Sequence, residues 1–439
     1  MNESGLFQRA LVDPEIAGLF TDAAWVDVLV RVEVALAEAQ ARAGVIPAAA
    51  ATTIAERTRS FVAQPAKLAA GIEQDGFPII ELVAQLRAHV GGDAARFVHW
   101  GATTQDILDT GLVLQLRETL DRIEARLATL TEALSKLADR HRAALMVGRT
   151  HAQPALPITF GLKAAGWLAP LVRHRRALAE LRPRVLNVQL GGAAGTLASL
   201  GDKGPAVVDA LAAALRLGTL PMPWHTQREG LLELSSRLAL MSGSVAKFAQ
   251  DTLLLAQAEI GEVRTASGQG GSSAMPQKQN PIRSETVLVA ARAASAEHAA
   301  LLGTPPPEHE RGTQTTQAEL LHLPRVCAFA GGTLRAAAQL ASELVVDEAR
   351  MRSNLAATHG VLLAEAATLA LTRHLDAATA RRLVTEACAV ATAEKRHLIE
   401  VLRARPEAAP ALADLPRDEA DYLGATNLFI DRVLAEARR

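Results

Sequence analysis

From Val113 onward, apolar residues recur at Leu116, Leu120, Ile123, Leu127, Leu130, Leu134 and Leu137, in steps of three and four. This spacing places them on one face of an α-helix. The charges Arg117, Glu118, Glu124 and Arg126 fall off the stripe. A second run, Leu234, Leu238, Met241, Val245, Phe248, Thr252 and Leu255, repeats the pattern. Both predict long helices of a bundle packed in near-coiled-coil geometry. A dimeric coiled coil fits less well, because the runs sit in the middle of a long globular chain.

The pattern breaks at residues 98–111 (VHWGATTQDILDTG), 146–161 (MVGRTHAQPALPITFG) and 302–312 (LGTPPPEHERG), and these stretches read as loops. The breaks divide the chain into an N-terminal helical domain over 1–110, a central bundle over 111–350 that includes a loop at 265–281, and a C-terminal helical domain over 351–439. If residues 112–139 form one helix, it is about 42 Å long. Thr103 and His151 then stand at opposite ends, and a site needing both must draw them from different subunits.

Aromatic residues make up only 3% of the 439, and alanine and leucine dominate, a balance that favours helix over sheet. A net charge of -1 gives no general attraction to nucleic acid or to a membrane surface, so an anionic ligand must be held locally. The two cysteines, Cys327 and Cys388, lie in apolar stretches and read as reduced thiols of a cytoplasmic protein, with a disulfide the lesser reading. No segment has the form of a membrane span or a secretory leader.

The stretch GQGGSSAMPQKQNP, residues 268–281, combines two kinds of chemistry. Gly268, Gly270 and Gly271 let backbone approach a ligand, while Ser272, Ser273, Lys278 and Asn280 precede a helix start at Pro281. Free N–H groups and an ammonium there favour an anion, such as a carboxylate that gains charge as its α-proton leaves. Composition alone fits a slack Gly/Ser linker better. Thr103 and Thr104 offer hydroxyls to a carboxylate, although Thr103 with Asp106 also fits a helix capping box. His225, Gln227 and Arg228, and likewise His309, Glu310 and Arg311, supply cations for substrate carboxylates or for surface salt bridges. The histidines lack HExxH or Cys/His metal spacing, and no P-loop or Rossmann fingerprint occurs, so neither a metal nor a cofactor is expected.

The order GSSxMPxKxNP resembles the shared motif of the aspartase/fumarase superfamily. HWGATTQDILDT at 99–110 and GRTHAQPA at 148–155 are similar to two further regions of that superfamily, in the same order. QLGGAAGTLASLG, PWHTQRE, PEHERG and DYLGATNLF look more like its cycloisomerase branch than its purine lyases. The resemblance spans almost the whole chain. It implies an all-α fold, with three helical domains around a long central helix bundle, and a homotetramer whose active sites are shared between subunits. It also implies cofactor-free chemistry on a small polycarboxylate: proton transfer at carbon, coupled to addition of the substrate's own carboxylate to close a lactone.

By the same resemblance Ser272 is the carbon acid/base, and Lys278 and Asn280 stabilise the aci-carboxylate. His99, Thr103, Thr104, Thr150, Gln153, Ser273 and Arg311 bind substrate, and His151 joins the catalytic group. Some cycloisomerases carry tryptophan at the position of His151. The histidine here keeps open an amine-releasing, fumarate-forming lyase of the adenylosuccinate lyase type. A non-catalytic structural protein is a further rival, against which the intact Ser272, Lys278 and Asn280 argue.

Overall fold

The computed structural model describes residues 5–266 and 270–439. In chain order the elements that frame the site are α1 (Asp22–Arg42), α2 (Ile79–Val90), α3 (Thr104–Arg140), strands β1 (Leu145–Thr150) and β2 (Gln153–Thr159), α4 (Phe160–Val185) and α5 (Glu229–Leu255). They continue with β3 (Val263–Thr265), α6 (Ile282–Leu302), α7 (Thr315–Glu343), β4 (Leu344–Val346) and α8 (Ala377–Glu394). The chain is all-α in class, with two small antiparallel ribbons, β1–β2 and β3–β4, among the described residues.

The periodic stripe is the buried face of α3: Val113, Leu116, Leu120, Ile123, Leu127, Leu130 and Leu134 are each 0% exposed. On α5 the second stripe is buried from Leu234 to Leu255. At about 25 cal/mol per Å² of apolar surface, such continuous stripes are the main force holding the long helices. Helix α3 is unbroken for 37 residues and starts at Thr104, inside the segment read as a loop over 98–111. The N–H of Thr103 donates to the Asp106 carboxylate at 3.0 Å, which is half of the expected capping box.

The chain forms two compact units. The first runs through Arg126 and adds His174–Gly243 and Val289–Arg335; the second comprises Leu127–Arg173, Ser244–Leu288 and Ala336–Arg439. Each of α3, α4, α5, α6 and α7 contributes residues to both. The first unit holds a core in which Leu29, Val32 and Leu36 of α1 pack with Leu82 and Leu86 of α2, with Ile107, and with Val207 and Leu211. In the second, residues 363–415 build a separate core that includes Leu383, Val384 and Ala387 of α8. Glycine is required at Gly332 of α7, where a Cβ would lie 1.9 Å from the carbonyl oxygen of Leu11.

The stretch 146–161 contains a β-hairpin rather than an irregular loop. Thr150 pairs with Gln153, leaving His151 and Ala152 as a two-residue turn with φ of 48° and 62°. Positive φ at both turn residues marks the type I′ geometry that matches the twist of a hairpin. Asn-Gly or Asp-Gly usually signals such a turn, and His-Ala carries no such signal. No single helix among the described residues is long and apolar enough to cross a membrane.

Candidate active site

The glycine- and serine-rich segment is an ordered ring where it is described. Gly270 has φ of 86° and its carbonyl accepts the Asn280 N–H at 2.8 Å. A Cβ at Gly270 would lie 2.1 Å from the Asn280 carbonyl oxygen, so only glycine closes this ring. Gly271 bridges Gln279 in antiparallel fashion, and the N–H of Lys278 donates to the Met275 carbonyl at 3.0 Å. Gly268 lies outside the described residues. Helix α6 begins one residue after Pro281.

Inside the ring, the Ser272 hydroxyl oxygen accepts two backbone N–H groups, from Met275 at 3.1 Å and Ala274 at 3.3 Å. Two amide donors on one hydroxyl oxygen favour negative charge there, because they lower the energy of the alkoxide more than that of the neutral alcohol. Ser272 and Asn280 are half-buried, whereas Ser273 and Lys278 are exposed.

The start of this loop is anchored to the hairpin. Arg149 of β1 makes a two-pronged ion pair with Glu262 at 2.9 and 2.8 Å, and the Asn354 amide donates to the same carboxylate at 2.9 Å. Glu262 is fully buried and directly precedes β3, which pairs with β4 at the end of α7. On its other side the hairpin packs Val147 against Leu355 and Leu362. Thr150, His151 and Gln153 stand exposed at the hairpin tip. The GRTHAQ pattern drew attention to this tip, yet nothing in the sequence paired Arg149 with Glu262.

In the first unit, the segment 98–103 is tied to two other loops through Asp106. Its carboxylate accepts the N–H groups of Gly191 and Gly192 at 2.9 and 3.0 Å, and pairs with His225 at 2.8 Å. Thr103 and Thr104 are half-buried, and their hydroxyls have no hydrogen-bond partner among the described residues. Arg311 donates to the Ala193 carbonyl at 2.7 Å and to that of Gly192 at 3.3 Å, while its Nε is buried without an acceptor. Arg311 directly, and Thr103 through Asp106, are thus tied to the 191–193 backbone.

His225 and Arg228 are neither surface ion pairs nor free cations. His225 is 4% exposed and spent on Asp106. Arg228 is held by Asp109 at 2.7 and 2.8 Å and by Glu319, beneath the Trp224 ring. Burial opposes its charge, but the two carboxylates outweigh that and drive the guanidinium above its ordinary value. This is a structural clamp joining α3, α5 and α7. Gln227, His309 and Glu310 are exposed.

Residues 9–295 match the Lyase family. The chain is 42% identical, over 98% of its length and 96% of the relative's, to a 3-carboxy-cis,cis-muconate cycloisomerase of Pseudomonas aeruginosa. Its fold is similar to the crystal structure of a 3-carboxy-cis,cis-muconate lactonizing enzyme from Pseudomonas putida, with a TM-score of 0.92, 41% identity and 99% of both chains covered. A fumarate lyase from Mesorhizobium sp. BNC1 gives a TM-score of 0.90 at 40% identity, covering 98% of this chain and 99% of that one.

Proposed function

We propose, from the premise that this chain belongs to the Lyase family, that it is a cycloisomerase converting 3-carboxy-cis,cis-muconate to the carboxymuconolactone. The single observation that supports the assignment of Ser272 is the pair of N–H groups on its oxygen. In the reaction, one carboxylate oxygen of the substrate forms a C–O bond to an alkene carbon. The displaced π electrons move to the neighbouring carbon and into its carboxylate as an aci-carboxylate. The Ser272 O–H gives its proton to that carbon, and the resulting alkoxide rests on the N–H groups of Ala274 and Met275 until water reprotonates it. Lys278 and Asn280 balance the second negative charge of the aci-carboxylate. His99, Thr103, Thr104, Thr150, Gln153, Ser273 and Arg311 hold the remaining carboxylates. No resident cofactor enters this scheme.

The length of α3 bears on how the site is assembled. Thr104 and Arg140 are its first and last residues, about 54 Å apart at a rise of about 1.5 Å per residue. The eleven residues from Arg140 to His151 return at most about 40 Å even when fully extended. In this reading a site that uses both Thr104 and His151 is shared between subunits of a homo-oligomer, a tetramer. A cytoplasmic location accompanies it.

The test is direct. Purified protein mixed with 3-carboxy-cis,cis-muconate should remove the conjugated-diene absorbance and yield a lactone, with adenylosuccinate as the parallel substrate. Turnover of adenylosuccinate alone would replace this reading with the amine-releasing one. His151 at the hairpin tip favours that second reading, since an exposed imidazole is suited to protonating a leaving nitrogen. If it holds, His151→Ala abolishes amine release.

A further inference from the structure

Glu33 lies in the apolar stretch of α1, on the face that also carries Leu29, Leu36 and Gln40. Its side chain is 2% exposed, and it is paired with Nδ1 of His99 at 2.6 Å through one oxygen. Its other oxygen, Oε2, is buried with no hydrogen-bond partner among the described residues. A buried carboxylate with so few partners directs its field at the one it has. His99 sits at φ of 61°, a left-handed conformation uncommon outside glycine, within the segment that leads to Thr103 and Thr104. Its Nε2 has no partner among the described residues.

We infer that Glu33 is a positioning residue for carboxylate binding: by holding the Nδ1–H of His99, it keeps the imidazole a cation whose Nε2–H donates to a substrate carboxylate. The inference rests on the polycarboxylate reading above. A neutral ring with Nδ1–H held by Glu33 would turn the Nε2 lone pair outward and repel a carboxylate. Three charged groups act on the ring: Glu33 from α1, Asp106 from α3 and Arg87 from α2. Burial pushes His99 down, the Glu33 and Asp106 carboxylates push it up, Arg87 opposes them, and the net is a rise above the ordinary histidine value. A group raised in this way is charged below its pKa, so substrate affinity is full at low pH and declines as pH rises through that value. Removing Glu33 moves the decline to lower pH.

The experiment compares Glu33→Gln and Glu33→Asp with the parent enzyme, using 3-carboxy-cis,cis-muconate across pH. Glu33→Gln should raise KM by roughly 10- to 100-fold, with kcat within about threefold, and Glu33→Asp should recover part of the loss. The gap between parent and Glu33→Gln should widen towards neutral pH and narrow in acid. A KM rise of the same size at every pH, which a merely structural role produces, overturns the proposal, as does an unchanged KM. A second readout is independent of the substrate: NMR titration of 13C-histidine-labelled full-length protein, with the His99 signal assigned through His99→Gln. His99 should titrate above the ordinary value in the parent and distinctly lower in Glu33→Gln. An unaltered titration refutes the pairing, whereas failure of the parent to convert carboxymuconate while the titration shifts refutes only the substrate.

Discussion

Arg228 illustrates how a single side chain can look functional in sequence and be structural in space. It follows the PWHTQ stretch beside a histidine and a glutamine, a setting that fits substrate binding. In the fold its guanidinium is enclosed by Asp109 and Glu319. Replacing it by methionine strands two buried carboxylates, and urea unfolding should register a loss of about 3–5 kcal/mol. Substrate contacts need not change for activity to fall. Glu33 and Gln40 lie on the apolar face of α1, and the sequence reading singled out neither. Nor could the partner of Glu33 be read: His99 lies 66 residues away, and pairing over that distance is a product of tertiary structure. The same is true of Arg149 and Glu262, 113 residues apart.

At the scale of elements, periodicity carried the reading furthest. Leu127, Leu130 and Leu134 are buried on α3 as their spacing requires. Leu127→Ala should therefore cost about 2–5 kcal/mol in a denaturant titration, by loss of transfer energy and the cavity left behind. Local chemistry was legible where a side chain bonds its own neighbourhood, as Asp106 does with the Thr103 N–H. It failed at the β1–β2 hairpin, because prolines and a His-Ala turn suggest a loop, whereas cross-strand pairing and burial of Val147 make a ribbon. The ring at 270–280 was half legible. Its motif marked Ser272, Lys278 and Asn280, but nothing in the order of residues indicated that the Ala274 and Met275 amides converge on the serine oxygen.

For the whole molecule, the unbroken length of α3 has the largest consequence. A shared site predicts complementation: inactive Thr104→Val and inactive Ser272→Ala proteins, unfolded together and refolded as mixed oligomers, should regain part of the parent activity. Mixed oligomers that stay inactive, once their formation is verified by mass, would show that each site is built from one chain or needs both residues from the same subunit. The domain division at 110 and 350 remains a proposal alongside the two compact units, each assembled from separated stretches of chain.

The central claim is that the Ser272 hydroxyl moves the proton at carbon. Its most direct measurement is kcat of a Ser272→Ala variant whose circular dichroism and oligomer mass match the parent. The account predicts a fall on the order of 1000-fold or more, with KM changed little. A folded variant that turns over carboxymuconate within a few fold of the parent would contradict it.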